Sequence, residues 1–377
     1  MLIYSTEAVM EKIRISMLGG SGTGKTSFFS GIIHSMIVNP IIVGDGATKS
    51  TIMLSSKGIK QSSSYFLDDD GSGSLVQSMN NNALLAKYLI DGEDNGFGIA
   101  TADSVEFSFD LLINNLPCCE IIIADYAGEL IDDPNNQAMA NNLNQLCDNI
   151  AESDALIVMA DSVIISKYLG NNNLIQKETG ARIINMIFPT VKKVIEKRNR
   201  PLTTVVALTK TDSLKVTDMM RKSNFAKISK VIYDNIYAST FSSMDEKTDS
   251  WGIIPVSAIG NGNVDESNHI KSGANIQPEN IDIAIVFSIA SSISKILADK
   301  DTAIERLSRE ARRIIPIGKK AKAEKANLEQ QADDLKNQKE ALEKCRSAIS
   351  QMNDVFAKKI NNMHRSNIDE IDAVVSK

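Results

Sequence analysis

The residues with the most specific chemistry are Gly19-Gly20-Ser21-Gly22-Thr23-Gly24-Lys25-Thr26, which satisfy the spacing G-x-x-x-x-G-K-[ST]. Glycines let a backbone curl until successive N–H groups point inward, an arrangement that binds phosphate oxygens. Lys25 places a cation on the β- and γ-phosphates of a nucleotide, and the Thr26 hydroxyl is of the type that coordinates Mg²⁺. Gly19, Ser21, Gly22, Thr23, Gly24, Lys25, Thr26 and Ser27 are therefore the expected phosphate cradle. The apolar run Ile13 to Leu18 precedes them. Phe29, Ile32, Ile33, Met36 and Ile37 follow at the spacing of one helix face. Strand, glycine turn and helix in that order aim the positive end of the helix dipole at the same point.

Short apolar runs alternate with helical patterns through much of the chain, which predicts a mainly parallel sheet with covering helices. After Ile13 to Leu18 come Val105 to Leu111, Cys118 to Ala124, Ala155 to Ala160, Thr203 to Leu208 and Ile253 to Val256. Val105, Phe107, Phe109 and Leu111 alternate with polar residues, and Asn114-Asn115 can turn that strand back antiparallel. The expected fold is a doubly wound α/β sheet of six strands, one antiparallel, with helices near 135–151, 174–198, 216–240 and 281–299. Residues 44–102 are rich in Gly, Ser, Asp and Asn and read as a long insertion whose main element is a helix from Leu75 to Ile90.

The chain has 377 residues, 43% hydrophobic and 23% charged, with a net charge of −6. That balance excludes wholesale disorder, and its sign gives no overall field for nucleic acid or an anionic membrane. Four cysteines without a C-x-x-C and three scattered histidines argue against a zinc site. Met1 to Arg14 shows no secretory pattern, and Ile281 to Leu297 is broken by Asp282, serines and Lys295. The latter reads as a core helix and not a membrane span, so a cytoplasmic location is expected.

Three downstream segments give the chain a family resemblance. Asp125-Tyr126-Ala127-Gly128 resembles a D-x-x-G motif, Thr209-Lys210-Thr211-Asp212 resembles [NT]-K-x-D, and Ser257-Ala258 resembles the S-A loop. With the phosphate loop, and in this order at strand ends, they are similar to the Ras-like, translation-factor-related P-loop GTPases over roughly residues 13–300. The resemblance implies a GTP/GDP site in which Thr26 and Asp125 hold Mg²⁺ and the Gly128 N–H meets the γ-phosphate. Lys210 would pack on guanine, Asp212 would accept its N1–H and 2-amino group, and the Ser257-Ala258 backbone would read its O6. Adenine lacks that donor pair, so the wrong base would leave a carboxylate unpaired.

The departures also carry information. Ser21 stands where familiar members have glycine, Glu129 where they have a water-orienting Gln, and Thr209 where Asn is commoner. Lys25, Gly128 and Glu129 form the implied catalytic group. No Arg occurs between Arg14 and Arg182, so the family's arginine finger has no local source. Slow hydrolysis is expected without a partner, a second protomer or a monovalent ion. The Mg²⁺-binding Thr of the first switch is assigned to Thr101, with Thr48 and Thr51 as alternatives. Asp161 reads as a turn cap.

Residues 1–300 are expected to form the GTP-binding domain and 301–377 a helical, partly coiled-coil extension. Ala321, Leu328, Leu335, Leu342, Ile349, Phe356 and Met363 recur every seven residues, but the companion seam is poorly apolar. A helix packed on its own domain and a dimerising helix both stay open. Lys319, Lys320, Lys322 and Lys325 read as a solvated basic face. The functional expectation is a Mg²⁺-dependent conformational switch acting on a protein effector or activator, with a second GTPase or a homodimer as candidate partners. Nucleic acid is not expected. With its large insertion and Glu129 the chain resembles the less-studied bacterial GTPases, paired-GTPase members included, more than a housekeeping translation factor. An ATPase or nucleotide kinase, and a scaffold that holds GTP without hydrolysing it, are the alternatives.

Overall fold

The computed structural model describes residues 10–43, 49–61, 105–126, 146–197, 202–212, 228–245, 249–260, 263, 271 and 275–363. The strands are β1 (Lys12–Leu18), β2 (Ile41–Val43), β3 (Ser50–Gln61), β4 (Val105–Ile113), β5 (Leu116–Asp125), β6 (Ala155–Asp161), β7 (Thr203–Thr209) and β8 (Ser250–Pro255). They form one eight-stranded sheet in the order β2-β3-β4-β5-β1-β6-β7-β8. β5, β1, β6, β7 and β8 run parallel, and β2 to β5 are antiparallel neighbours.

Six strands with one antiparallel is thus corrected to eight, the two additions being β2 and β3 at the antiparallel edge. β3 lies within the segment expected to be irregular. Its apolar alternation is only Ile52 and Leu54 before serines begin, and a register shift between Ser56 and Gly58 breaks the period. The β4–β5 hairpin forms as expected: Asn114 and Asn115 have φ of 52° and 64°, the left-handed pair that a two-residue turn requires.

Every residue of β6 and β7 is buried, as suits central parallel strands covered on both faces. Their alternation sorts two cores. Ile157 and Met159 face the side with Phe28, Ile32 and Ile289, while Leu156 and Val158 face Ile184, Phe188 and Ile232.

The helices named among the described residues are α1 (Lys25–Ile32, continued by a wider turn over Ile33–Val38), α2 (Ser162–Lys167), α3 (Asn172–Glu178), α4 (Ala181–Lys197), α5 (Ala238–Ser242, preceded by a second wide turn over Ile232–Ile236), α6 (Ile281–Arg313) and α7 (Gly318–Met363). The helix expected over 174–198 is two, because Gly180 at φ 73° separates α3 from α4. The helix expected at Leu75 to Ile90 lies outside the described residues. α6 is long and apolar enough to cross a membrane, but its apolar half lies in the core, with Ile281, Ile285, Ile289 and Ile293 packed on the sheet. Gly31 of α1 has no side chain where Ile281 sits: a Cβ there would come within 2.2 Å of Ile281 Cδ1.

α6 continues unbroken past residue 300, and α7 folds back along it. Lys300 Nζ donates to Gln338 Oε1 at 2.7 Å, and Lys339 pairs with Asp301 at 2.5 Å, which fixes the register of this antiparallel hairpin. The heptad residues Leu342 and Ile349 are buried in the chain's own core.

Candidate nucleotide site

β1 ends at Leu18 and the glycine turn begins there, between β5 and β6 at the carboxyl end of the parallel strands. Gly22 and Gly24 adopt φ of 72° and 92°, conformations that L side chains disfavour. Gly19 is needed for closeness: a Cβ there would meet Thr23 Oγ1 at 2.6 Å and Met159 Cβ at 2.8 Å. The Thr23 hydroxyl donates to Gly20 O at 2.8 Å and closes the turn. Lys25, the first residue of α1, lies over the loop, its Nζ donating to Gly19 O and Gly20 O at 2.7 and 3.0 Å.

Asp125 ends β5, beside Met17 of β1. It is buried, and its Oδ1 has no hydrogen-bond partner among the described residues. Burial pushes its carboxyl up to about 6, opposed by the nearby Lys25 ammonium. An unsatisfied anionic oxygen beside a phosphate loop suits a hard divalent cation, for which carboxylate oxygen is a preferred ligand. The geometry at Asp125 therefore fits Mg²⁺. Thr26 is the second residue of α1, but its side chain lies outside what is described, as do Thr101, Gly128, Glu129 and Thr48. Thr101 comes four positions before Val105, which pairs with Asp125. Thr51 pairs with Ile42, and its neighbour Ile52 pairs with Ile113 at the opposite end of the hairpin from Asp125. The sheet register removes Thr51 as a metal ligand.

The other side of the cleft is built from the ends of β7 and β8. The Thr209 hydroxyl donates to Thr23 O at 2.7 Å, tying this strand end to the phosphate loop. Lys210 takes a left-handed φ of 57°, and its Nζ pairs with Asp161 Oδ2 at 2.6 Å. Asp161 caps α2 as expected, its Oδ1 accepting from Val163 N and Ile164 N. The Thr211 hydroxyl donates to Val256 O at 3.0 Å, joining the loops after β7 and β8.

Ser257 is fully buried; its Oγ accepts from Ile259 N at 3.2 Å and Gly260 N at 2.7 Å. The same hydroxyl hydrogen-bonds Asp212, whose carboxyl is pushed up by burial while Ser257 and Lys210 hold it down. Ser21, Gly22, Gly24, Ser27, Thr209, Lys210, Asp212 and Ala258 line one cleft of about 560 Å³. Ile164, Tyr168 and Glu178 in its wall were not foreseen, because α2 and α3 reach it only through the fold.

The sequence matches no protein-family profile and no curated protein. Solved structures similar to it include the signal recognition particle receptor SRβ-GTP/SRX complex from Chaetomium thermophilum, at 10% identity and TM-score 0.33, covering 66% of this chain and 94% of that one. The S. cerevisiae Ski7 GTPase-like domain bound to GTP matches at 11% identity and TM-score 0.36, over 74% of this chain and half of that chain. A point variant of Aquifex aeolicus Era bound to GDP·AlF₄⁻ matches at 13% identity and TM-score 0.27, over 76% and 68% of the two chains.

Proposed function

We propose that this chain binds GTP with Mg²⁺ and hydrolyses it slowly to GDP and phosphate, its conformational state being read by a protein partner in the cytoplasm. The observation that carries the reading is the placement of Asp212 in the same cleft as the phosphate loop, with Thr209 bonded to that loop. A half-buried carboxylate accepts two adjacent N–H donors, which guanine presents and adenine does not. The loop amides and Lys25 hold phosphate, and Asp125 with Thr26 would hold the cation, which when bound neutralises charge on the phosphate oxygens. Ser21 lines the cleft at the position where bulk hinders water attack, in keeping with slow turnover.

Binding of fluorescent GTP, ATP and XTP to the wild type and Asp212→Asn tests this, with Lys25→Ala as the loss-of-binding control. The wild type should prefer GTP. Asp212→Asn should lose about 100-fold or more in GTP affinity and shift toward XTP. Equal ATP binding, with Asp212 irrelevant, would overturn the guanine reading and leave a phosphate site alone.

A further inference from the structure

The turn between α6 and α7 exposes apolar side chains that nothing among the described residues covers. Ile315 and Ile317 are 71% and 80% exposed, on either side of Pro316. Exposed Arg309, Arg312 and Arg313 precede this apex and exposed Lys319, Lys320 and Lys322 follow it. The only acidic residue in 309–322 is Glu310, so the segment carries +5 in a chain whose net charge is −6. None of the six cations has a carboxylate partner among the described residues.

The hairpin carries this apex away from the sheet. Lys300 still reaches Glu11 beside β1, at 2.7 Å, but the α6 side chains in the sheet's core end at Leu297. Beyond Lys300, Leu307, Ala311 and Ala332 are buried in the seam of the two helices and belong to neither sheet core. The 13 residues from Asp301 to Arg313 extend the arm by about 20 Å at 1.5 Å per residue. It leaves from the amino end of the parallel strands, the pole opposite the nucleotide cleft.

We propose that this apex is a peripheral membrane contact: Ile315 and Ile317 enter the acyl boundary of a bilayer while the flanking cations meet anionic lipid headgroups. An apolar wedge and a basic collar are the two signals that reversible membrane attachment requires together. The apex has no aromatic residue on which to stack a base, and aliphatic side chains gain nothing from a polyanion in water. Bound in this way, the chain would turn its nucleotide cleft away from the bilayer.

Flotation of the full-length chain with phosphatidylcholine vesicles, with and without about one-third phosphatidylglycerol, tests the proposal. The wild type should float with the anionic vesicles only, and less at high salt. At about fivefold per charge, the pair Lys319→Glu and Lys320→Glu should reduce partitioning about 100-fold or more. The pair Ile315→Ser and Ile317→Ser should reduce it about tenfold or more. Both pairs lie on the surface, and matched circular-dichroism melts would confirm that they fold. Failure to float with anionic vesicles would overturn the proposal, and so would binding that the serine pair leaves unchanged. Retention on heparin or an acidic protein without vesicle binding would assign the collar to a different partner and also overturn it.

Discussion

Two buried aspartates stand at opposite ends of the parallel sheet, and their surroundings differ in a way that separates structure from function. Asp249, before β8, accepts from Lys192 Nζ at 2.5 Å, Leu202 N at 2.9 Å and Asp245 N at 2.8 Å. Its charge is balanced and its lone pairs are used. Asp125, at the end of β5, is as deeply placed, yet its Oδ1 receives no hydrogen bond from the described residues, and burial holds its carboxyl up at about 6. The first carboxylate holds a loop to a helix. The second is buried at a cost in stability that the nearby Lys25 ammonium offsets only in part, which is the property expected of a carboxylate that takes a cation under the proposed function.

The largest effect that could break this contrast comes from Lys192→Met. It strands Asp249 without its cation and should cost about 3–5 kcal/mol in urea unfolding. A loss below about 1 kcal/mol would mean that the backbone donors alone satisfy Asp249.

Asp125→Asn should act in the opposite direction. Its carboxyl lies above its ordinary value of 3.8, so the folded state takes up the proton more readily than the unfolded one. The carboxylate therefore destabilises the fold above about pH 6, and that cost fades as pH falls toward 3.8. With nucleotide and Mg²⁺ removed, the Asn variant should be more stable near neutral pH by up to about 3 kcal/mol and lose that advantage in acid. Equal stability of the two proteins at neutral pH would show that Asp125 is already satisfied.

The smallest effect sharpens the site's internal link. Thr209→Val removes the donor to Thr23 O and leaves that buried carbonyl short of a partner. Nucleotide affinity, read by calorimetry, should fall about tenfold, from about 1–2 kcal/mol.

The cradle was legible in the sequence because its chemistry uses contiguous residues: glycines with positive φ, then Lys25 at the helix start. Asp212, Ser257 and Ala258 were legible as residues following strands, since side chains there converge in an open α/β sheet. What lay hidden was set by tertiary pairing. Asp161 reads as a cap, and it is one, but its hold on Lys210 depends on β6 lying beside β7. Thr51 was credible as a metal ligand until the register of β3 placed it at the wrong end of its hairpin. β3 itself escaped notice because its bulge at Gly58 ends an alternation only two residues long on the buried face.

The root of α6 is tied to the loops that line the cleft. Ser257 and Glu279 exchange backbone hydrogen bonds, so the loop after β8 is joined to the residue just ahead of Asn280, the cap of α6. Ile281, the first residue of the helix, fills the space left by Gly31 in the helix that carries Lys25. From that double anchorage α6 runs 33 residues without a break, about 50 Å, so one continuous rod joins the loop that holds Ser257 to the pole opposite the cleft.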